Sequence, residues 1–329
     1  MTVLVAPDSF KGTFRSPEVA EAIGRGLERA GFPVDLAPAA DGGDGTLDVL
    51  LLALGGETRP CEVQDPLGRH TAARFGLLAD GEGAVVEMAS ASGLSLVAED
   101  ERDPEKATTY GTGELIVAAV EAGATVVFVS VGGSATTDGG AGALQAIADG
   151  GGLCGAKLVV LSDVRTPFEQ AAAVYGPQKG ADPAAVKRLT KRLHRLAGGF
   201  ARDPRTRPMT GAAGGLAGGL WGQLGAELVP GAPFVLDALA FDERLRAARA
   251  VVTGEGRIDE QTLQGKAVGE VATRSRQRGV PCSAIVGCRD LDRFGLRLLD
   301  LDGVTEATTL QEIEDAALAL GDRLPPLAR

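Results

Sequence analysis

Along this 329-residue chain an apolar, strand-like run repeatedly ends in a polar, glycine-rich loop and then gives way to a helix-like pattern. Alternating strand and helix signals of this kind fold into a mostly parallel sheet covered by helices on both faces. Residues 2–6 form the first run. Ser16-Pro17-Glu18 then reads as a helix start, with serine as N-cap, proline at the first helical position and an acid favoured by the helix dipole. Val19, Ile23 and Leu27 hold one apolar face until Gly31. The pattern recurs with runs at 34–38, 125–131, 158–161, 250–253 and 282–286, and residues 46–54 read as a helix. A chain of this length exceeds the roughly 250–300 residues at which single cores stop growing, so two domains are expected.

Two of the loops are unusually rich in aspartate and glycine: Ala40-Asp41-Gly42-Gly43-Asp44-Gly45-Thr46 and Gly132-Gly133-Ser134-Ala135-Thr136-Thr137-Asp138-Gly139-Gly140-Ala141-Gly142. At a strand-to-helix junction such loops offer free backbone N–H groups, a helix N-terminus and carboxylates, which suit a phosphate and its metal ion. The familiar phosphate fingerprints are incomplete. No G-x-x-x-x-G-K-[ST] occurs, and Gly254-Glu255-Gly256-Arg257-Ile258-Asp259 breaks G-x-G-x-x-G at its last position. A nicotinamide-dependent oxidoreductase, which needs that fingerprint and an acid about 20 residues on, is therefore the weaker alternative.

A net charge of −11 argues against nucleic acid and against anionic membrane surfaces, both of which need a basic footprint. The four cysteines show no C-x-x-C spacing, and the N-terminus has neither a basic segment nor a long apolar one. A cytoplasmic protein with small-molecule partners is expected. The basic stretch Lys187, Arg188, Lys191, Arg192 and Arg195 has helical spacing and reads as a solvated face. The glycine-rich stretch 211–225 reads as a tightly packed helix or a wall beside ligand.

Lysine is scarce, seven against 26 arginines, and three lysines adjoin glycine in irregular stretches: Lys11, Lys179 and Lys266. A compact ammonium is a common phosphate ligand. Only His70 and His194 are present, neither in a motif, so histidine triads and H-E-x-x-H metal sites are excluded. Acid–base and metal chemistry falls to carboxylates at predicted strand ends: Asp8, Asp41, Asp44, Glu87, Asp138, Asp163, Glu255 and Asp259. With lysines and glycine amides these are the parts of a phosphoryl-transfer site, where catalysis is mostly positioning and electrostatics.

The stretches Ala6-Pro7-Asp8-Ser9-Phe10-Lys11-Gly12, the two Asp-Gly loops, Thr109-Tyr110-Gly111-Thr112-Gly113-Glu114, Tyr175-Gly176-Pro177-Gln178-Lys179-Gly180 and Thr253-Gly254-Glu255-Gly256-Arg257-Ile258-Asp259 resemble, in order and wording, those of the bacterial glycerate kinase type 1 family. The resemblance spans nearly the whole chain. It implies ATP-dependent phosphorylation of D-glycerate, at the 2-hydroxyl in most members and less often at the 3-hydroxyl. It also implies two dissimilar α/β domains, one a doubly wound Rossmann-like parallel sheet, with the active site in the cleft between them. Residues 1–60 with 240–329 are expected in the Rossmann-like domain and 61–239 in the second. A non-catalytic, glycerate-binding regulatory protein is the other alternative, because the chain is shorter than the family pattern between Ile147 and Leu158 and carries Arg165-Thr166 where the family has Thr-Asn.

Residue type and loop position then assign expected roles. Asp163 or Asp41 orients or deprotonates the hydroxyl, and Lys11 acts beside them. Asp8, Ser9, Gly42, Gly43, Gly132, Gly133, Ser134, Lys179, Arg257 and Lys266 bind substrate or phosphate, and Asp138, Glu255 and Asp259 hold Mg²⁺. A homodimer is an assembly the resemblance allows.

Overall fold

A computed structural model describes residues 1–324 of the chain; residues 325–329, the end of the expected Rossmann-like domain, lie outside the described residues. Eleven strands are formed among them. β1 (Thr2–Pro7) and β2 (Val34–Leu36) come first, followed by β3 (Gly56–Gln64), β4 (His70–Leu78), β5 (Gly83–Glu87), β6 (Val126–Ser130), β7 (Lys157–Leu161) and β8 (Glu227–Val229); β9 (Ala248–Glu255), β10 (Cys282–Val286) and β11 (Gly303–Glu306) close the chain. They lie in two compact units, Met1–Asp41 with Ala232–Arg329, and Gly42–Gly231.

The first unit holds a five-stranded sheet in the order β11-β10-β9-β1-β2. Every pair in it is parallel, with Leu4 opposite Asp35 on one side and Val251 on the other. Val3, Leu4, Val5 and Ala6 are all fully buried. A central parallel strand is covered on both faces, so it reads as a continuous apolar run rather than an alternating one. On one face the helix Ser16–Arg29 contributes Val19, Ile23 and Leu27, which pack with Ile313, Ala317 and Leu320 of the helix Leu310–Gly321. On the other, Ile258, Val268, Val286, Leu291 and Leu299 form a separate cluster. The N-cap of the helix Ser16–Arg29 is Arg15, one residue earlier than the sequence suggests. Glu18 accepts the Arg15 backbone N–H at 2.8 Å, while the Ser16 hydroxyl turns inward and is buried.

The second unit holds a six-stranded sheet in the order β3-β4-β5-β6-β7-β8. β3, β4 and β5 pair antiparallel, and β5 through β8 are parallel. The β3–β4 ribbon and the helix Thr46–Leu54 pack here, whereas the sequence grouping drew the line at residue 60. Val86, Met88, Leu115, Ile116, Val127, Val129, Ile147 and Val160 centre its core.

The glycine-rich stretch forms the turn Ala212–Gly215 and the buried helix Leu216–Leu224. A methyl group at Gly219 would stand 2.3 Å from the Gly139 carbonyl, so only glycine lets this helix approach the loop behind it. The basic stretch lies on the helix Pro183–Ala197, capped by Asp182, and Arg188 pairs there with Glu105 on the surface.

Candidate active site

β1 and β9 are neighbours, yet the helix after β1 leads to β2 on one side and the helix after β9 leads to β10 on the other. Their carboxyl ends therefore flank a topological switch point, where loops diverge and open sheets bind ligands. Asp8 and Ser9 follow β1, and Glu255, Gly256 and Arg257 end or follow β9. A cavity of about 380 Å³ opens there, lined by Ser9, Lys11, Glu255, Arg257, Lys266 and Cys288 among others.

Within this unit, the Lys11 ammonium donates to Asp41 Oδ2 at 2.9 Å, tying the loop after β1 to the segment after β2. Asp41 raises the Lys11 pKa, which keeps the ammonium charged. Asp8 is buried, and its Oδ1 accepts the Ser9 backbone N–H at 2.6 Å. Burial, and then the Asp41 carboxylate, push the Asp8 pKa up to about 8. The Ser9 hydroxyl is buried and has no partner among the described residues.

Glu255 is buried at the end of β9 and accepts from the Thr262 hydroxyl at 2.6 Å. Burial pushes its pKa up to about 7, against the opposing effects of Thr262, Lys266 and Lys11. Asp259 accepts the Gln261 N–H at 2.8 Å and lies 3.8 Å from the Lys266 ammonium. Arg257 is exposed and pairs with Asp290. The first unit thus brings together Asp8, Ser9, Lys11, Asp41, Glu255, Arg257, Asp259 and Lys266 at one sheet edge.

In the second unit the two Asp-Gly loops lie side by side. A Cβ on Gly132 would stand 2.7 Å from the Gly43 Cα, and the Val131 N–H donates to the Gly42 carbonyl. Gly133 turns left-handed at φ +66°. The backbone N–H groups of Gly132, Gly133 and Ser134 have no hydrogen-bond partner among the described residues. Consecutive free amides around a left-handed glycine make a concave anion cradle.

Lys179 is buried below that loop and donates to Ser134 Oγ at 2.7 Å and to the Thr136 carbonyl at 2.5 Å. Burial lowers its pKa to about 7. The ammonium is thus directed at the loop itself.

Asp138, expected as a metal ligand, is saturated. Its oxygens accept from the Thr109 N–H and hydroxyl and from the Gly140 and Gly142 N–H groups at 2.8–3.1 Å. It ties the first turn of the helix Ala141–Asp149, whose N-cap is Gly140, to residue 109. Asp163 Oδ1 accepts the Gly231 N–H at 2.7 Å, so one oxygen of the expected base holds the chain where it leaves this unit. Among the described residues no three His, Cys, Asp or Glu side chains stand close enough to form a metal site by themselves.

Thr262 and Thr109, the partners of Glu255 and Asp138, were not anticipated as site residues. Their signal in the sequence is weak, since hydroxyls at these spacings occur throughout loops. Ser9, Gly132, Gly133 and Ser134 stand where the loop pattern places them.

Acids, ammonium groups and free amides on loops at the carboxyl ends of parallel strands are the chemical parts that a phosphoryl-transfer enzyme uses. The model of the glycerate kinase family matches residues 3–149 and 152–324, and the chain belongs to that family. A glycerate kinase of Halalkalibacterium halodurans is 40% identical over 87% of this chain and 85% of its own. A glycerate 2-kinase of Escherichia coli is 38% identical over the same shares. A solved structure from Salmonella typhimurium LT2, described as a glycerate kinase 2, superimposes with a TM-score of 0.82 at 36% identity, covering 98% of each chain. The protein is a kinase of this family, and no helix among the described residues is long and apolar enough to cross a membrane.

Proposed function

We propose that the protein transfers the γ-phosphoryl group of ATP to the 2-hydroxyl of D-glycerate, giving 2-phosphoglycerate. The observation that carries the assignment is the Lys11–Asp41 pair at the β1/β9 switch point, beside a cavity that Arg257 and Lys266 also line. A small hydroxy acid needs a cation for its carboxylate and a carboxylate for its hydroxyl. Arg257 meets the first need, with the Ser9 hydroxyl, which has no partner among the described residues, as a neutral donor beside it. Asp41, ion-paired with Lys11, meets the second by orienting the hydroxyl and taking its proton. Lys11 then lies where charge builds on the transferred group, and Lys266 adds a second ammonium.

Asp41 takes this role in preference to Asp163 because its partner Lys11 lines the cavity, whereas Asp163 Oδ1 accepts the Gly231 amide. The amide cradle at residues 132–134 suits a nucleotide phosphate, and Gly42 and Gly43 support it. Mg²⁺ supplies charge neutralisation on the phosphate oxygens. Glu255 fits a metal of that kind, since a hard cation takes oxygen ligands and one Glu255 oxygen has no partner among the described residues. Asp259 stands near it through Thr262, whereas the saturated Asp138 does not fit. A cytoplasmic location and a homodimer complete the proposal.

The test is a coupled assay of ADP release by the purified protein. ADP release that depends on both D-glycerate and a divalent ion is expected. The same rate without glycerate, or full activity in excess EDTA, contradicts the proposal.

A further inference from the structure

Lysine is among the side chains least often fully buried, yet Lys179 is buried, and among the described residues it forms no ion pair. Desolvating an ammonium is costly unless it gains something specific. What Lys179 gains is two hydrogen bonds, both to one loop, more than forty residues distant in sequence. The turn Pro177–Lys179 that presents it is itself tied down, with the Lys179 and Ala181 N–H groups both on the Gly176 carbonyl.

In the first half of that loop the hydroxyls of Thr136 and Thr137 are buried without partners among the described residues. Above Lys179, the backbone is fixed by the Leu94 N–H on the Gly133 carbonyl and the Ala135 N–H on the Ser92 carbonyl. These bonds leave the amides of residues 132–134 free.

We propose that Lys179 is a positioning residue that sets those amides for a phosphate of ATP, holding the loop from its buried side without touching the nucleotide. The inference rests on the phosphate-cradle part of the function proposed above. A pre-set cradle lowers the cost of binding because the loop need not be ordered by the ligand. The lowered pKa fits this role, since a neutral amine still has hydrogens for both acceptors while costing less to bury.

The experiment measures ATP and D-glycerate binding separately by calorimetry for the wild type, Lys179→Met and Ser134→Ala. Methionine keeps the volume and removes the donor, and alanine removes one acceptor while leaving the ammonium in place. The Kd for ATP is expected to rise at least about tenfold in Lys179→Met and a few-fold in Ser134→Ala, with the Kd for D-glycerate unchanged in both. Unchanged ATP binding in either variant overturns the inference; a large loss in Lys179→Met with none in Ser134→Ala would make Lys179 a direct ligand. Equal weakening of both ligands marks a fold defect and also overturns it. Should Lys179→Met not fold, Ser134→Ala decides alone. ATP binding is read without turnover, so a wild type that binds ATP but leaves glycerate unphosphorylated refutes the proposed substrate and not the role of Lys179.

Discussion

The Lys11 ammonium and Asp41 Oδ2 stand 2.9 Å apart, joining the loop after β1 to the segment after β2 across the edge of a parallel sheet. Asp41 is nearly buried and Lys11 half exposed, and the Lys11 side chain lines the cavity.

Lys11→Ala should therefore cut kcat/KM by at least about 10²-fold, roughly 2.7 kcal/mol of transition-state stabilisation. It also strips Asp41 of its countercharge, so a lower melting temperature is expected alongside. Lys11→Arg, which keeps the charge but not the compact ammonium, should restore the melting temperature more fully than the activity. Wild-type kinetics in Lys11→Ala would return this lysine to an ordinary surface role.

Asp8 gives a pH prediction. Its folded pKa of about 8 lies above the ordinary 3.8, so the folded state binds more protons than the unfolded one between those values. Stability from this group is full below about pH 4 and is lost as pH rises through about 8. Melting curves of the wild type and Asp8→Asn should show the wild type losing stability relative to the variant across that window. A difference independent of pH contradicts it.

Lys179 has the opposite sign. Its folded pKa of about 7 lies below the ordinary 10.5, so the unfolded chain binds the extra proton between them. The wild type should gain stability relative to Lys179→Met as pH rises from about 7 to about 10. A falling difference would show that the ammonium is well solvated or paired.

Asp138→Asn separates a splint from a metal ligand. An amide in place of this carboxylate cannot accept from all four of its donors, and buried donors left unpaired cost about 1–3 kcal/mol each. A melting temperature lower by at least about 5 °C is expected. The Mg²⁺ concentration for half-maximal activity should not move. A large shift in that concentration with normal stability would make Asp138 a ligand after all.

Much of the scaffold was legible because its strands are buried on both faces. The runs at 282–286 and 46–54 coincide with β10 and the helix Thr46–Leu54, where the apolar pattern is strong and glycine follows. The β3–β4 ribbon was not read, because β3 is mostly exposed and carries Glu57, Arg59 and Glu62, giving no clear apolar periodicity. In the site, the loop pattern puts Asp8, Ser9, Lys11 and Glu255 at or beside the carboxyl ends of parallel strands, the edge at which open sheets bind ligands. What spacing could not show was which polar atoms are already spent. Asp138 and Asp163 look like Asp41 in sequence, and the structure tells them apart by partner, backbone and threonine donors for the first two and the Lys11 ammonium for Asp41. Lys179 looks like a loop lysine until its burial is seen.

Phosphoryl transfer to the 2-hydroxyl of D-glycerate, as proposed above, has a direct product assay. Purified protein incubated with ATP, Mg²⁺ and D-glycerate, quenched, and examined by ³¹P and ¹H NMR reports both the reaction and its position. 2-Phosphoglycerate is expected in amounts matching the ADP formed; 3-phosphoglycerate as the product, or no phosphoglycerate at all, would contradict the proposed reaction.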